Sequence, residues 1–112
     1  VGRLPIETTL LRPPGQTYLT LPTGEIRNVL TVQILNKQPL ERTISFKLLS
    51  PEGGVLTVPS GSLQAPGEQL AKTVLFLDFK RDLVQSGKNE IIIGIYDGEQ
   101  EIEQVDASFV SP

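Results

Sequence analysis

Carboxylates are the groups in this chain best suited to chemistry. Glu99, Glu101 and Glu103 recur at every second position, and Asp106 follows closely. Two carboxyls sharing a pocket can divide acid and base roles, because burial and mutual repulsion raise the pKa of one of them. The same alternation is what a solvated strand face requires, and charge along an edge strand blocks unwanted pairing. The solvated face is the simpler reading. One parity conflict accompanies it: the three Glu share odd numbering with the apolar Val105, Ala107 and Phe109. A β-bulge near Gln104 reconciles the two halves by re-aiming the strand.

Other candidate motifs resolve in favour of structure. Asp97-Gly98-Glu99 offers oxygen ligands, but it lacks the D-x-D-x-D spacing that surrounds a calcium ion. It reads instead as a tight hairpin turn. Pro51-Glu52-Gly53-Gly54 and Pro66-Gly67-Glu68 contain glycine, yet neither matches a phosphate-cradling loop, which needs a helix start with Lys and Ser or Thr. Lys80-Arg81 is an adjacent basic pair beside Asp82, suited at most to a headgroup contact. Asn28 and Asn36 flank the apolar run Val29 to Leu35 and read as residues that bond nearby backbone. Tyr18 reads as an anchor for the loop before it.

Two absences exclude more chemistry than these motifs suggest. The 112 residues contain no cysteine and no histidine. Thiolate nucleophiles, disulfides, Ser-His-Asp triads and thiolate or imidazole metal sites are therefore excluded. A hydrolase reading has no nucleophile–base pair to rest on. Ten Lys and Arg are scattered among thirteen Asp and Glu, for a net charge of −3. Nucleic-acid binding calls for a basic stripe, which is missing. The apolar runs, such as Val74 to Leu77 and Ile91 to Ile93, fall far short of the ~20 residues of a membrane-spanning helix. A chain of this length buries roughly 65% of its unfolded surface, enough for one core.

The elements that hold these groups are strands. Pro and Gly turn signals recur at short intervals, with Val, Ile, Leu, Thr and Phe between them, as in an all-β sandwich. Strands are predicted near 6–11, 27–36, 41–49, 55–58, 69–79, 89–97 and 100–109, with a short edge segment at 17–20. One helical turn is predicted within Lys80 to Gln85. Leu30, Val32 and Ile34 point inward by alternation, as do Ile44, Phe46 and Leu48. Leu70 to Phe79 and Asn89 to Tyr96 are apolar on both faces. There the expectation is that Val74, Phe76, Ile91, Ile93 and Ile95 face the core. The fold class is an immunoglobulin-like β-sandwich of about seven antiparallel strands in two sheets, forming one domain over 1–112.

Leu11-Arg12-Pro13-Pro14-Gly15-Gln16-Thr17-Tyr18, followed by the run from Gly24 to Lys37, carries a resemblance. It is similar to the C-terminal immunoglobulin-like domain of the FixG/CcoG family, the cytochrome c oxidase accessory proteins. That family shows an Arg with a nearby Gly and Tyr, then alternating apolar positions between two Asn and a closing Lys. Ile26, Asn28, Val32, Ile34, Asn36 and Lys37 fill the pattern, while Leu30 stands where the family often has an aromatic residue. The ending Phe109-Val110-Ser111-Pro112 is similar too.

The resemblance implies a larger parent, a bacterial membrane protein with cysteine-bound 4Fe–4S clusters that serves assembly of cbb3-type oxidase through copper redox handling. It implies a domain on the periplasmic side, docking onto an assembly component or onto its own membrane part. A start at Val1 rather than Met agrees with a fragment. None of the cluster cysteines lies here, so no catalytic, cofactor-binding or metal-ligating residue carries over. The rival is an adhesion or carbohydrate-binding sandwich, which would stack sugars on exposed aromatic rings.

Overall fold

The structure is a computed structural model that describes residues 5–12 and 18–112. Val1 and the predicted Pro13-Pro14-Gly15 turn lie outside the described residues. Nine strands form among those described: β1 (Ile6–Leu11), β2 (Leu19–Thr20), β3 (Ile26–Asn36), β4 (Arg42–Ser50), β5 (Val55–Thr57), β6 (Leu63–Ala65), β7 (Leu70–Phe79), β8 (Gly87–Asp97) and β9 (Gln100–Ser111). A single 3-10 turn, Arg81–Leu83, stands where one helical turn is predicted. The count exceeds seven because β2 is the anticipated edge segment and β6 is new. Three residues between two turn signals are too few to show a period, so β6 escapes a pattern-based reading.

The strands build two antiparallel sheets. One has the order β1-β3-β7-β5, with β2 also on β3, and the other has the order β6-β4-β8-β9. This is the immunoglobulin-like sandwich, the first sheet in ABED order and the second carrying the CFG set plus β6. β3 alternates strictly between buried and half-buried positions along all 11 residues. Leu30, Val32 and Ile34 meet Ile44, Phe46, Ile91, Ile93 and Ile95 of the facing sheet in one buried cluster. Phe79 and Phe109 close it with ring centroids 4.7 Å apart at 67°, an edge-to-face contact. Val105, Ala107 and Leu48 are half-buried against the same cluster.

The expected inward set on β7 is wrong by one residue. Val74 is 37% exposed, whereas Leu75 and Leu77 are fully buried. Pairing sets Leu75 beside Leu30, Leu77 beside Asn28 and Phe79 beside Ile26, all inward. Val74 and Phe76 face outward, where the Arg27 guanidinium lies 4.5 Å from the Phe76 ring centroid. Apolar residues on both faces leave the period undecided. The charges at Lys72 and Asp78 share parity with Val74 and Phe76, and that parity points the right way. Asp78 meets Arg27 through two bonds of 2.8 and 2.9 Å on this outer face.

On β8, Ile91, Ile93 and Ile95 are buried as expected. Gly94 lies between them on the opposite face, with the Tyr96 ring laid over it. A Cβ at Gly94 would come within 2.8 Å of that ring. The ring thus covers backbone that a larger residue would otherwise cover. The β8–β9 hairpin turns through Gly98 and Glu99, within the predicted Asp97-Gly98-Glu99 turn, and Gly98 takes the left-handed φ of 63° that such a turn needs.

The β7 register is testable by urea unfolding. Leu75→Ala is expected to cost about 2–4 kcal/mol by leaving a cavity, and Val74→Lys less than about 1 kcal/mol because its side chain enters water. The reverse ranking would reject the register.

Candidate functional site

The acidic residues do not form one face. The register of β9 on β8 slips between Glu103, opposite Ile95, and Glu101, opposite Tyr96, so Ile102 is the extra residue of a bulge. The bulge that parity demands therefore exists, two residues before Gln104. It turns Glu101 outward and Glu103 toward the gap between the sheets. Glu103 accepts a 2.7 Å bond from the Thr8 hydroxyl of β1. Glu101 accepts from Gln104 Nε2 at 3.2 Å and from the Tyr96 hydroxyl at 3.4 Å. Partial burial, then the neighbouring Glu101 charge and hydrogen bond, raise the Tyr96 pKa above its ordinary value. Glu99 and Asp106 are exposed. Asp97 is taken up by an ion pair with Arg42 at the start of β4.

Among the described residues nothing fits a bound metal or cluster. An iron–sulfur cluster needs cysteine thiolates, and the chain has none. Among the described residues no three acidic, His or Cys side chains gather where they could hold an ion.

The densest polar cluster is instead a seam between the sheets, made from motif residues. Asn28 points inward from β3 and is fully buried. Its Nδ2 donates to the Val110 carbonyl at 2.8 Å, and its Oδ1 accepts from the Val110 amide at 2.8 Å. The side chain thereby imitates a neighbouring strand for the end of β9. Arg12, just past β1, donates to Asn28 Oδ1 at 3.0 Å and to the Ser108 carbonyl. Burial lowers the Arg12 pKa from its ordinary value, yet a guanidinium stays charged at any physiological pH.

Asn36, at the other end of β3, is also fully buried. It donates to the carbonyls of Leu40 at 2.8 Å and Ala65 at 3.0 Å and accepts from the Gln38 amide at 3.1 Å. Asn36 bonds nearby backbone as expected, whereas Asn28 bonds Val110 on β9 instead of its own turn. Their cross-sheet partners and the part played by Arg12 are non-local and have no signal in the sequence beyond the motif itself. Between the Thr8–Glu103 contact and the Arg12–Asn28 cluster, a slot of about 430 Å³ opens between β1 and β9, its walls mixing Leu10, Leu30 and Ala107 with the charged Arg12, Lys88 and Asp106.

The remaining candidates are dispersed. Lys80 and Arg81 are exposed at one end of the sandwich, near Glu25 and Asp82, around a shallow space of mixed charge. Arg81 donates to the Pro112 carbonyl at 3.4 Å. Tyr18 is 37% exposed, so it is not the buried anchor expected of it, and the loop before it lies outside the described residues. Phe46, Phe79 and Phe109 are buried and Phe76 lies under Arg27, which leaves Tyr18 and Tyr96 as the rings with exposed surface.

Asn28→Ala strands the amide and carbonyl of Val110. The expected loss is about 2–4 kcal/mol of stability in urea, from two backbone groups left unpaired. In a Tyr18→Phe background, ultraviolet titration should find Tyr96 ionising above the ordinary tyrosine range, and Glu101→Gln should move it back down. A Tyr96 midpoint unmoved by Glu101→Gln would reject that coupling.

Residues 1–112 match the family described as "IG-like fold at C-terminal of FixG, putative oxidoreductase". No curated protein matches the chain. Among solved structures it is similar to a FixG-related protein from Vibrio parahaemolyticus, at 18% identity and a TM-score of 0.75, with 95% of each chain covered. At that identity the likeness speaks for the fold alone. The family match spans the strands, the seam and the two inward Asn, so this chain belongs to the family of immunoglobulin-like domains found at the C-terminus of FixG.

Proposed function

We propose that this domain is a non-catalytic docking module, carried on the periplasmic side of a FixG/CcoG-like iron–sulfur membrane protein that serves assembly of cbb3-type oxidase. The observation that carries the reading is the fate of the reactive groups. Without Cys or His, acid–base work would fall to carboxylates, lysines and two tyrosines. Glu101 and Glu103 are turned to different faces by the bulge and bonded to Tyr96 and Thr8. The motif residues Arg12 and Asn28 build the seam, which holds the two sheets together. Redox chemistry and the 4Fe–4S clusters then belong to the rest of the parent, and this domain supplies a surface.

Two measurements test the reading. Deleting the domain from the parent should leave membrane insertion and the cluster signal in electron paramagnetic resonance unchanged, while assembled oxidase falls. Unchanged assembly would reject docking, and a lost cluster signal would mean that the domain holds a cofactor. Leu40 is 78% exposed in the β3–β4 turn, and the domain is free of cysteine. In a parent stripped of other reactive thiols, Leu40→Cys should react with a membrane-impermeant maleimide in intact spheroplasts. Labelling only after lysis would place the domain on the cytoplasmic side.

A further inference from the structure

We propose that the outer face of the β1-β3-β7-β5 sheet is a self-association surface, on which a second copy of this chain packs about a two-fold axis running along β3. The inference goes beyond the docking reading and stands without it, since both occupants are this chain.

The apolar surface supplies the first argument. β1, β3 and β7 turn every second residue away from the core, and no described element lies over that face. Leu11, Leu19, Val55, Leu70 and Val74 are 37–53% exposed on it. They are five of the nine large hydrophobic side chains exposed among the described residues, so the exposed apolar surface is gathered here instead of scattered. The water-facing side of an antiparallel sheet ordinarily carries polar residues. A contiguous apolar patch there marks a surface that is covered in use.

Charge favours a second copy as the cover. The strands bring Glu7, Lys72, Arg27 and Asp78 to this face, two of each sign. Arg27 and Asp78 are bonded to each other, and Arg27 covers Phe76. The net −3 of the chain therefore resides elsewhere, and two copies can meet here without a net charge on either surface.

Register makes the face complementary to itself. Aligned sheets pack about 10 Å apart with strands crossing near 30°. With the two-fold axis along β3, β1 of each copy lies over β7 of the other. Glu7, Leu35 and Leu70 form one row across the face, Thr9, Gln33 and Lys72 the next, and Leu11, Thr31 and Val74 the third. Leu11 of each copy then meets Val74 of the other, while Val29 and Leu35 meet themselves on the axis. Glu7 stands one row, about 7 Å along the strands, from the second copy's Lys72, within the span of two long side chains. Two-fold symmetry makes that ion pair twice. Arg27 would approach Arg27 on the same axis, but each is already neutralised by Asp78, and the crossing of the strands carries that end of the face apart. Three strands with five outward residues each span roughly 14 by 34 Å. That is small for a specific pair and fits a weak dimer.

Sedimentation equilibrium on this chain, from about 5 µM to about 1 mM, tests the proposal. The average mass should rise with concentration from one chain to two. Val74→Lys, expected above to leave the fold intact, should weaken the dimer about tenfold or more by putting an ammonium into the apolar row. Lys72→Glu should weaken it about tenfold by setting like charges side by side in two places. Adding Glu7→Lys to that variant should restore the original association. Amide shifts that grow with concentration should centre on Leu11, Thr31 and Val74.

A chain that stays single at the highest concentration would overturn the proposal, as would a dimer unmoved by Val74→Lys. A double charge reversal that weakens the dimer further would reject the two-fold pairing. Concentration-dependent shifts centred on β9 or β4 would put the contact elsewhere, also against the proposal. Should Val74→Lys fail to fold, the two charge variants decide alone, because Glu7 and Lys72 are exposed. A chain single at every concentration leaves the oxidase-assembly and labelling experiments untouched, so this inference then fails while the docking reading stands.

Discussion

Two buried amides govern how the sheets of this sandwich meet. An Asn side chain carried into an apolar core must find partners for its donors and acceptor, or the desolvation cost falls on the fold. β3 carries Asn28 and Asn36 inward near its two ends, and neither finds its cross-sheet partners within its own sheet. Asn28 takes the backbone of Val110 on β9, and Asn36 takes the carbonyl of Ala65 on β6. β9 and β6 are the two outer strands of the opposite sheet. One central strand is thus bonded to both margins of the facing sheet. Hydrophobic packing is non-directional and would tolerate some sliding of one sheet over the other. The amides, which need aligned partners at about 3 Å, allow little of it.

Other polar features follow from that frame. Arg12 shares Asn28 Oδ1 and reaches the Ser108 carbonyl, so the family motif before the first turn closes the same seam. Thr8 and Glu103 close it farther along. Ion pairs sit where strands begin and end, Arg42 with Asp97 between β4 and β8 and Arg27 with Asp78 between β3 and β7. Their side chains are only 12–32% exposed and the Arg27–Asp78 pair is bidentate, so removing one partner would strand a largely buried charge. Arg27 adds cover for Phe76, which lies outside the core.

Much of this was legible in the residues, and the exceptions have physical causes. The alternation of β3 is strict, so its inward set was plain, and the two Asn stood out as structural at its ends. Asn36 also bonds Gln38 and Leu40 close by, but the cross-sheet partners are 29 and 82 positions away, beyond any local pattern. The parity conflict in β9 called for a bulge, and Ile102 provides it. In β7 both faces are apolar, and only the charges at Lys72 and Asp78 distinguish them. β6 is too short to announce itself. Glu99, Glu101 and Glu103 looked like one acidic row because the residue that separates them, Ile102, is itself apolar and in strand register by type.

The placement of Pro5 and Ser111 at opposite ends of the strands has a mechanical consequence. The Pro5 carbonyl accepts from Lys37 at the Asn36 end of β3, whereas Val110 is held at the Asn28 end. Tension applied between Pro5 and Ser111 would run along the strands, drawing β1 past β3 and β9 past β8. Every ladder bond in a pair then shares the load at once, as in a lap joint, instead of opening singly like a zipper. The Asn28 clasp lies directly in that line of force, at the end of β9 where the pull would enter.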